Sequence, residues 1–220
     1  MSTQGPYLPL ECLGESASNG MSGSRGSAKG RGAFDARDIA LRAQQSIACS
    51  FPNQTKRFFL DEITSHLVDT VHQLVWLYTR SKERADYIVK QLLKVSIKLH
   101  VVVFSGVLRQ QQEDDLRECR EVMRQAAVCF IRHVQEAVQP QSEGSDLERI
   151  QVAIKAASSF ARLVSEKHLS KRAVDKLTDV VMFFADEKFL SALLSNQPPY
   201  AELAAEITHD LQESIDRGIL

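Results

Sequence analysis

The side chains with the clearest chemical character are three lysines at regular spacing. Lys90, Lys94 and Lys98 fall within residues 85–104, ADYIVKQLLKVSIKLHVVVF. Residues four apart lie above one another on a helix, so these ammonium groups form one stripe on an otherwise apolar helix. Such charges require compensation by water, acidic neighbours or an anionic ligand. The stripe therefore predicts an anion site, and the plainer alternative is lysine tips that reach solvent from a wetted face.

Further cations accompany the stripe. Arg120 and Arg124 are four residues apart and lie close to the apolar side of a predicted helix over residues 110–138, whereas Arg117 belongs to a ladder of ion pairs. Lys56 and Arg57 form another basic pair, which directly precedes the apolar residues 58–60. The cations that could form such an anion site are Lys94, Lys98, Arg120, Arg124, Lys56 and Arg57.

Catalytic and metal-binding patterns do not occur in the sequence. The six histidines never stand at a zinc-helix spacing with a ligand partner, and no GxxxxGK or GxSxG motif is present. Ser96 precedes His100 by four residues, a pair that fits a local hydrogen bond better than a nucleophile and base. We therefore expect neither an enzyme, nor a metal site, nor a resident cofactor.

Composition narrows the functional classes. The 27 basic and 28 acidic residues give a formal net charge of -1, which argues against a general nucleic-acid binder. The four cysteines form no CxxC pair and indicate reduced intracellular thiols. No run of about 18 uncharged apolar residues predicts a membrane span. We expect a cytoplasmic protein that contacts membrane surfaces only transiently.

The elements that must position the cations are helices. Apolar residues recur at helical spacing, and no alternating pattern supports a sheet, so we predict an all-α, single-domain bundle of about seven helices over residues 34–220. Residues 85–104 are apolar around nearly the whole circumference, as expected for a helix enclosed by others. Residues 1–33 hold seven of the ten glycines and predict a flexible Gly/Ser-rich tail.

Local signals predict where several helices begin and end. Asp35, Ser81 and Asp186 are suited to cap helix N-termini. Ser145 with Glu148 has the form of a capping box and predicts a helix start there. The apolar surface of these helices exceeds what a plain bundle needs. Two alternatives account for it: one helix buried by all the others, which is the commoner arrangement, or helices that line an internal apolar cavity.

Several segments resemble one known family. Ile88–Lys98, IVKQLLKVSIK, resembles the I-x-K-x-L-I-K-x-x-I-K signature of the tumour necrosis factor-alpha-induced protein 8 (TIPE) family. Residues 40–44 and 59–62 resemble that family's first helix and its F-I-D-E segment, and residues 184–193 its F-S-D-x-x-F-L stretch. The resemblance covers residues 34–220 in order. The family's S-H-G-R stretch reads AVDK at residues 173–176, which marks a divergent member.

The resemblance implies a bundle around a large hydrophobic cavity that accepts the acyl chains of a bound phospholipid. Basic residues at the mouth would hold a phosphoinositide headgroup, with Lys94 and Lys98 on the family's lysine ladder and Arg120 on an arginine associated with its headgroup site. Family members are described as non-catalytic phosphoinositide transfer and regulatory proteins in cell death, immunity and migration. The residues expected to line the cavity are Leu92, Val95, Leu99, Val102, Met123, Phe130, Ile154 and Phe184.

Two functions from different classes are therefore carried forward. The first is phosphoinositide or phospholipid binding and transfer, in which acyl-chain burial supplies affinity and Lys and Arg side chains select the headgroup. The alternative is a lipid-independent helical adaptor with a solid core, which binds signalling proteins through an exposed face.

Overall fold

The computed structural model describes residues 34–48, 61–106, 108–136, 143–168, 170–195 and 197–220. These residues form eight α-helices, and no strand occurs among them, so the predicted all-α class is confirmed. The predicted tail and the segment with Lys56 and Arg57 lie outside the described residues. The helices are α1 (Ala36–Ala48), α2 (Glu62–Thr79), α3 (Lys82–Phe104), α4 (Gln110–Gln135), α5 (Glu143–His168), α6 (Lys171–Phe184), α7 (Glu187–Leu194) and α8 (Tyr200–Asp216).

Helix α3 is the central element, as its continuous apolar character predicts. It packs against α1, α2, α5 and α6. Val89, Ile97, Val101 and Val102 are fully buried along its length. By contrast, the next helix in the chain, α4, packs mainly against α5 and α8, and no extensive contact joins it to α3 within the described residues.

Three predicted helix starts are confirmed by side-chain caps. Ser81 Oγ accepts a hydrogen bond from the Arg84 backbone N–H at 3.1 Å and opens α3. A carboxylate oxygen of Asp186 accepts from the Phe189 backbone N–H at 2.9 Å and opens α7, and Asp35 accepts from the third residue after it in the same way. Each cap satisfies a backbone donor that the first turn of a helix leaves without an intrahelical partner.

The predicted start of α5 is wrong by two residues. The helix begins at Glu143, so Ser145 and Glu148 both lie within it. A capping box marks the start of a helix only when the chain before its serine leaves the helical path. Here the backbone is already helical at Glu143.

The core consists of one large and two small groups of buried side chains. The main core joins α2, α3, α4, α5, α7 and α8 and includes Leu74, Ile88, Phe189 and Leu190. A second group holds α1 against α3. A third, which we call the α3–α6 cluster, contains Val95, Ala161 and Leu177, with Leu99 and Val181 packed against it.

Two polar contacts join α2 to α8 and define the direction of one helix along the other. His66 Nδ1 lies 2.7 Å from a carboxylate oxygen of Asp210, and the Thr70 hydroxyl donates to Glu206 at 3.4 Å. These pairs show that α2 and α8 run antiparallel. No helix among the described residues is long and apolar enough to cross a membrane.

Candidate functional site

The structure brings together two of the predicted cations and one that the sequence analysis did not select. Lys98 on α3 is partly buried and lies near Lys94 on the same helix and Lys176 on α6. Burial lowers the pKa of the Lys98 ammonium, and the like charges of Lys176 and Lys94 lower it further. We refer to these three residues as the lysine cluster.

Apolar packing between α3 and α6 holds the lysine cluster in place. Lys94 precedes Val95, and Lys176 precedes Leu177; both apolar residues belong to the α3–α6 cluster. Packing of Val95 and Leu177 in this small core keeps the two helices, and with them their lysines, close to each other. The Lys98 ammonium is therefore partly buried, and water solvates it less well than at an open surface.

The lysines of the stripe differ in whether a carboxylate of the described residues lies close to them. Lys90 Nζ donates to a carboxylate oxygen of Asp86 at 3.1 Å, and the same carboxylate lies 2.8 Å from His72 Nε2. In the part of the chain that the structure describes, neither Lys94 nor Lys98 has a carboxylate within ion-pair distance. Lys90 is thus neutralised within the fold, whereas Lys94 and Lys98 keep positive charge that no carboxylate of the described residues pairs with.

The predicted arginines lie elsewhere in the bundle. Arg120 and Arg124 are exposed on α4, and Arg124 Nη1 is 3.9 Å from a carboxylate oxygen of Glu121. Direct packing of α3 against α4 does not bring them to the lysine cluster, because the described parts of these helices share no extensive contact. That both sets of cations hold one ligand stays a prediction, as do the roles of Lys56 and Arg57.

The predicted cavity-lining residues occupy different parts of the core. Phe130 is buried in the main core, with Ile154 and Phe184 packed against it, whereas Val95 and Leu99 belong to the α3–α6 cluster. The other three members of the set differ in exposure: Val102 is fully buried, Leu92 is partly buried, and Met123 is exposed. That all eight side chains line one cavity stays a prediction.

Lys176 is the functional candidate that the sequence analysis missed. The buried residues of α6 are Ala173, Leu177 and Val180. Lys176 lies three residues after the first of them and four before the last, so helical spacing puts it at the edge of the apolar face. A charged side chain at the edge of an apolar helix face is the signal that could have identified Lys176. The sequence does not show which helix packs beside that edge.

The described residues offer no metal chemistry. They contain no group of three or more His, Cys, Asp or Glu side chains that could hold a metal ion. Cys119 and Cys129 are free thiols, and burial raises the pKa of Cys119. A raised pKa keeps this thiol protonated and therefore weakly nucleophilic.

Comparison with known proteins points to one family. The family model described as "Tumor necrosis factor alpha-induced protein 8-like" matches residues 34–218. A Tumor necrosis factor alpha-induced protein 8-like protein of Drosophila pseudoobscura pseudoobscura is 24% identical over 190 residues, which cover 84% of this chain and 96% of that protein.

Two further relatives show a similar degree of likeness. Tumor necrosis factor alpha-induced protein 8-like protein 2 of Xenopus tropicalis is 25% identical over 188 residues, covering 85% of this chain and 98% of that protein. Protein salivary glands marred of Drosophila melanogaster is 23% identical, with 84% and 96% covered. Because the family model spans nearly the whole helical region, the chain belongs to the tumor necrosis factor alpha-induced protein 8-like family.

Proposed function

We propose that this protein binds and transfers phosphoinositides or related anionic phospholipids, and that it acts without catalysis as a regulator of signalling in cell death, immunity and migration. The observation that carries this proposal is the lysine cluster. Lys98 is partly buried beside Lys94 and Lys176, and neither Lys94 nor Lys98 has a carboxylate partner among the described residues. A phosphate group at this position relieves the repulsion between the ammonium groups and forms charge-assisted hydrogen bonds with them.

Acyl chains need an apolar site as well as a cationic one. In this proposal an acyl chain lies between α3 and α4, whose described parts share no extensive contact and which both pack against α5. Leu92, Leu99 and Ile154 are apolar, yet each keeps part of its surface accessible. Burial of an acyl chain against such surface contributes about 0.8 kcal/mol per CH₂ group. The protein is then cytoplasmic and meets membranes when it loads or releases lipid.

Vesicle binding by charge-reversal variants tests this function. Full-length wild type is mixed with phosphatidylcholine vesicles that contain or lack a phosphoinositide, and the bound fraction is measured by sedimentation. Lys98→Glu should weaken phosphoinositide-dependent binding about tenfold or more, because it removes a charge-assisted hydrogen bond worth about 1.5–3 kcal/mol. Lys188→Glu on α7 is the matched control, since it makes the same charge change on an exposed lysine outside the cluster.

Two outcomes would contradict the proposal. One is equal binding by Lys98→Glu and Lys188→Glu, which would show that only overall charge matters. The other is the absence of phosphoinositide-dependent uptake by folded, delipidated wild type. The second outcome, together with a protein partner whose binding ignores lipid, would favour the helical-adaptor alternative.

A further inference from the structure

A second surface stands out at one end of the seam between α2 and α8. The chain's single tryptophan, Trp76, is 51% exposed there, although tryptophan is normally well buried. It lines a groove of about 510 Å³, which we call the Trp76 groove. Leu77, Pro199 and Leu203 complete its apolar walls, and Arg80 and Glu202 also line it.

The antiparallel seam shows where the charges around this groove lie. The pairs His66–Asp210 and Thr70–Glu206 advance together along the two helices, so the next turns place Trp76 and Leu77 opposite the first turn of α8. Glu202 and Glu206 then follow each other along the α8 edge, about 6 Å apart in helix rise. Arg80, which caps the C-terminus of α2, lies at the Glu202 end of the seam and lines the same groove.

The α8 edge carries two carboxylates that form no ion pair with a lysine or arginine of the described residues. Glu202 and Glu206 are both exposed, and within the described ranges neither has a cation within ion-pair distance. Glu206 accepts a long hydrogen bond from Thr70, and its charge helps to raise the pKa of His66. An apolar groove with an exposed tryptophan and an acidic edge has the character of a protein interface, where aromatic anchors supply most of the binding energy.

We propose that the Trp76 groove docks a basic amphipathic helix from a partner protein. Apolar side chains of that helix pack against Trp76 and Leu203, and its lysines or arginines, spaced four residues apart, pair with Glu202 and Glu206. The acidic edge also repels an anionic membrane surface, which distinguishes this site from the lysine cluster on α3 and α6. The inference does not depend on lipid binding.

The single tryptophan makes the proposal directly testable. Full-length protein is titrated with a synthetic helical peptide of leucine and lysine at amphipathic spacing, and Trp76 fluorescence is recorded. We expect a saturable blue shift, because the indole leaves water when the groove is filled. A matched peptide with glutamate in place of lysine, and vesicles of anionic lipid, should leave the emission unchanged.

Variants separate docking from general attraction between charges. The double substitution Glu202→Lys/Glu206→Lys keeps the reporter and should weaken peptide binding about tenfold or more. The control Asp175→Lys/Asp179→Lys makes the same charge change at the same spacing on the exposed surface of α6, and should leave the affinity unchanged. Trp76→Ala, followed by the anisotropy of a labelled peptide, should weaken binding about thirtyfold.

Three results would overturn the proposal. The first is that both double charge-reversal variants bind the lysine peptide with equally weakened affinity. The second is that the lysine peptide binds without a change in Trp76 emission. The third is that anionic vesicles shift the emission to the blue, which would assign this surface to membranes. All the substituted side chains are exposed, and circular dichroism of each variant establishes that the helices remain folded.

Discussion

Replacing Lys98 with methionine should stabilise the protein in the absence of ligand while it weakens lipid binding. Lys98 is partly buried, and both burial and the charges of Lys176 and Lys94 lower its pKa, so the folded state disfavours its charged form. Methionine has a similar length without the charge. Replacing even a buried ion pair with apolar side chains is often neutral or stabilising, by about 1–4 kcal/mol. For a side chain that is only partly buried we expect about 1 kcal/mol, or a rise in Tm of about 2–4 °C at this chain length.

The pH dependence of this effect has a definite sign. Because the pKa of Lys98 is lowered in the folded protein, the charge penalty is present in full below the folded pKa. It is relieved as the pH rises through the folded pKa toward the ordinary value for lysine. The stability gained by Lys98→Met should therefore shrink in alkaline buffer.

Thermal and urea unfolding of the delipidated proteins measure the difference. Lys94→Met is the matched control, because Lys94 is an exposed lysine on the same helix, and its removal should change the free energy of unfolding by less than about 0.5 kcal/mol. A lower Tm for Lys98→Met than for wild type would refute the reasoning, since it would show that the ammonium group stabilises the empty protein.

The remaining predictions concern the core and two histidines. Phe189→Ala should lower the free energy of unfolding in urea by about 3–5 kcal/mol, because this side chain is 2% exposed in the main core; a loss below about 1 kcal/mol would contradict that packing. The hydrogen bond to Asp210 raises the pKa of His66. Because the ring is exposed, we expect this pair to stabilise the fold by less than about 1 kcal/mol. That stabilisation is present below the ordinary histidine pKa and is lost as the pH rises through the folded pKa. Desolvation lowers the pKa of His72, because burial disfavours the charged ring. The free energy of unfolding therefore falls as the pH drops from the ordinary histidine pKa to the lower pKa of the folded protein. Urea unfolding between about pH 4.5 and 8 measures the two pH dependences, and His66→Gln and His72→Gln should each remove one of them. If both substitutions change the pH dependence of the free energy of unfolding in the same direction, the two pKa shifts are assigned wrongly.

Patterns within single segments determined much of the fold. The continuous apolar circumference of residues 85–104 predicted the central helix, and Ser81 and Asp186 predicted two helix starts, because a cap needs only its own first turn. The start predicted at Ser145 was wrong because the preceding residues, from Glu143 onward, are already helical. A local motif states where a helix could begin, and the surrounding structure decides whether it does.

The candidate site shows where local patterns stop. The spacing of Lys90, Lys94 and Lys98 predicted a cationic stripe, and helix geometry alone fixes that one face. The ion pair between Asp86 and Lys90 joins residues four apart on α3, so it could have been predicted from their spacing. The contact of Asp86 with His72 joins α3 to α2, and no local spacing indicates it.

The sequence by itself determined the helical class, the enclosed helix and the positive face of that helix, because each depends on residues a few positions apart. Only the tertiary structure decided that Lys176 from α6 joins Lys94 and Lys98, and that Trp76 of α2 faces a groove with an acidic edge from α8. The physical reason is that electrostatic and apolar contacts act over a few ångströms in space, irrespective of separation along the chain. The folded packing of α3 on α6 and of α2 on α8 therefore chooses the partners of each charge.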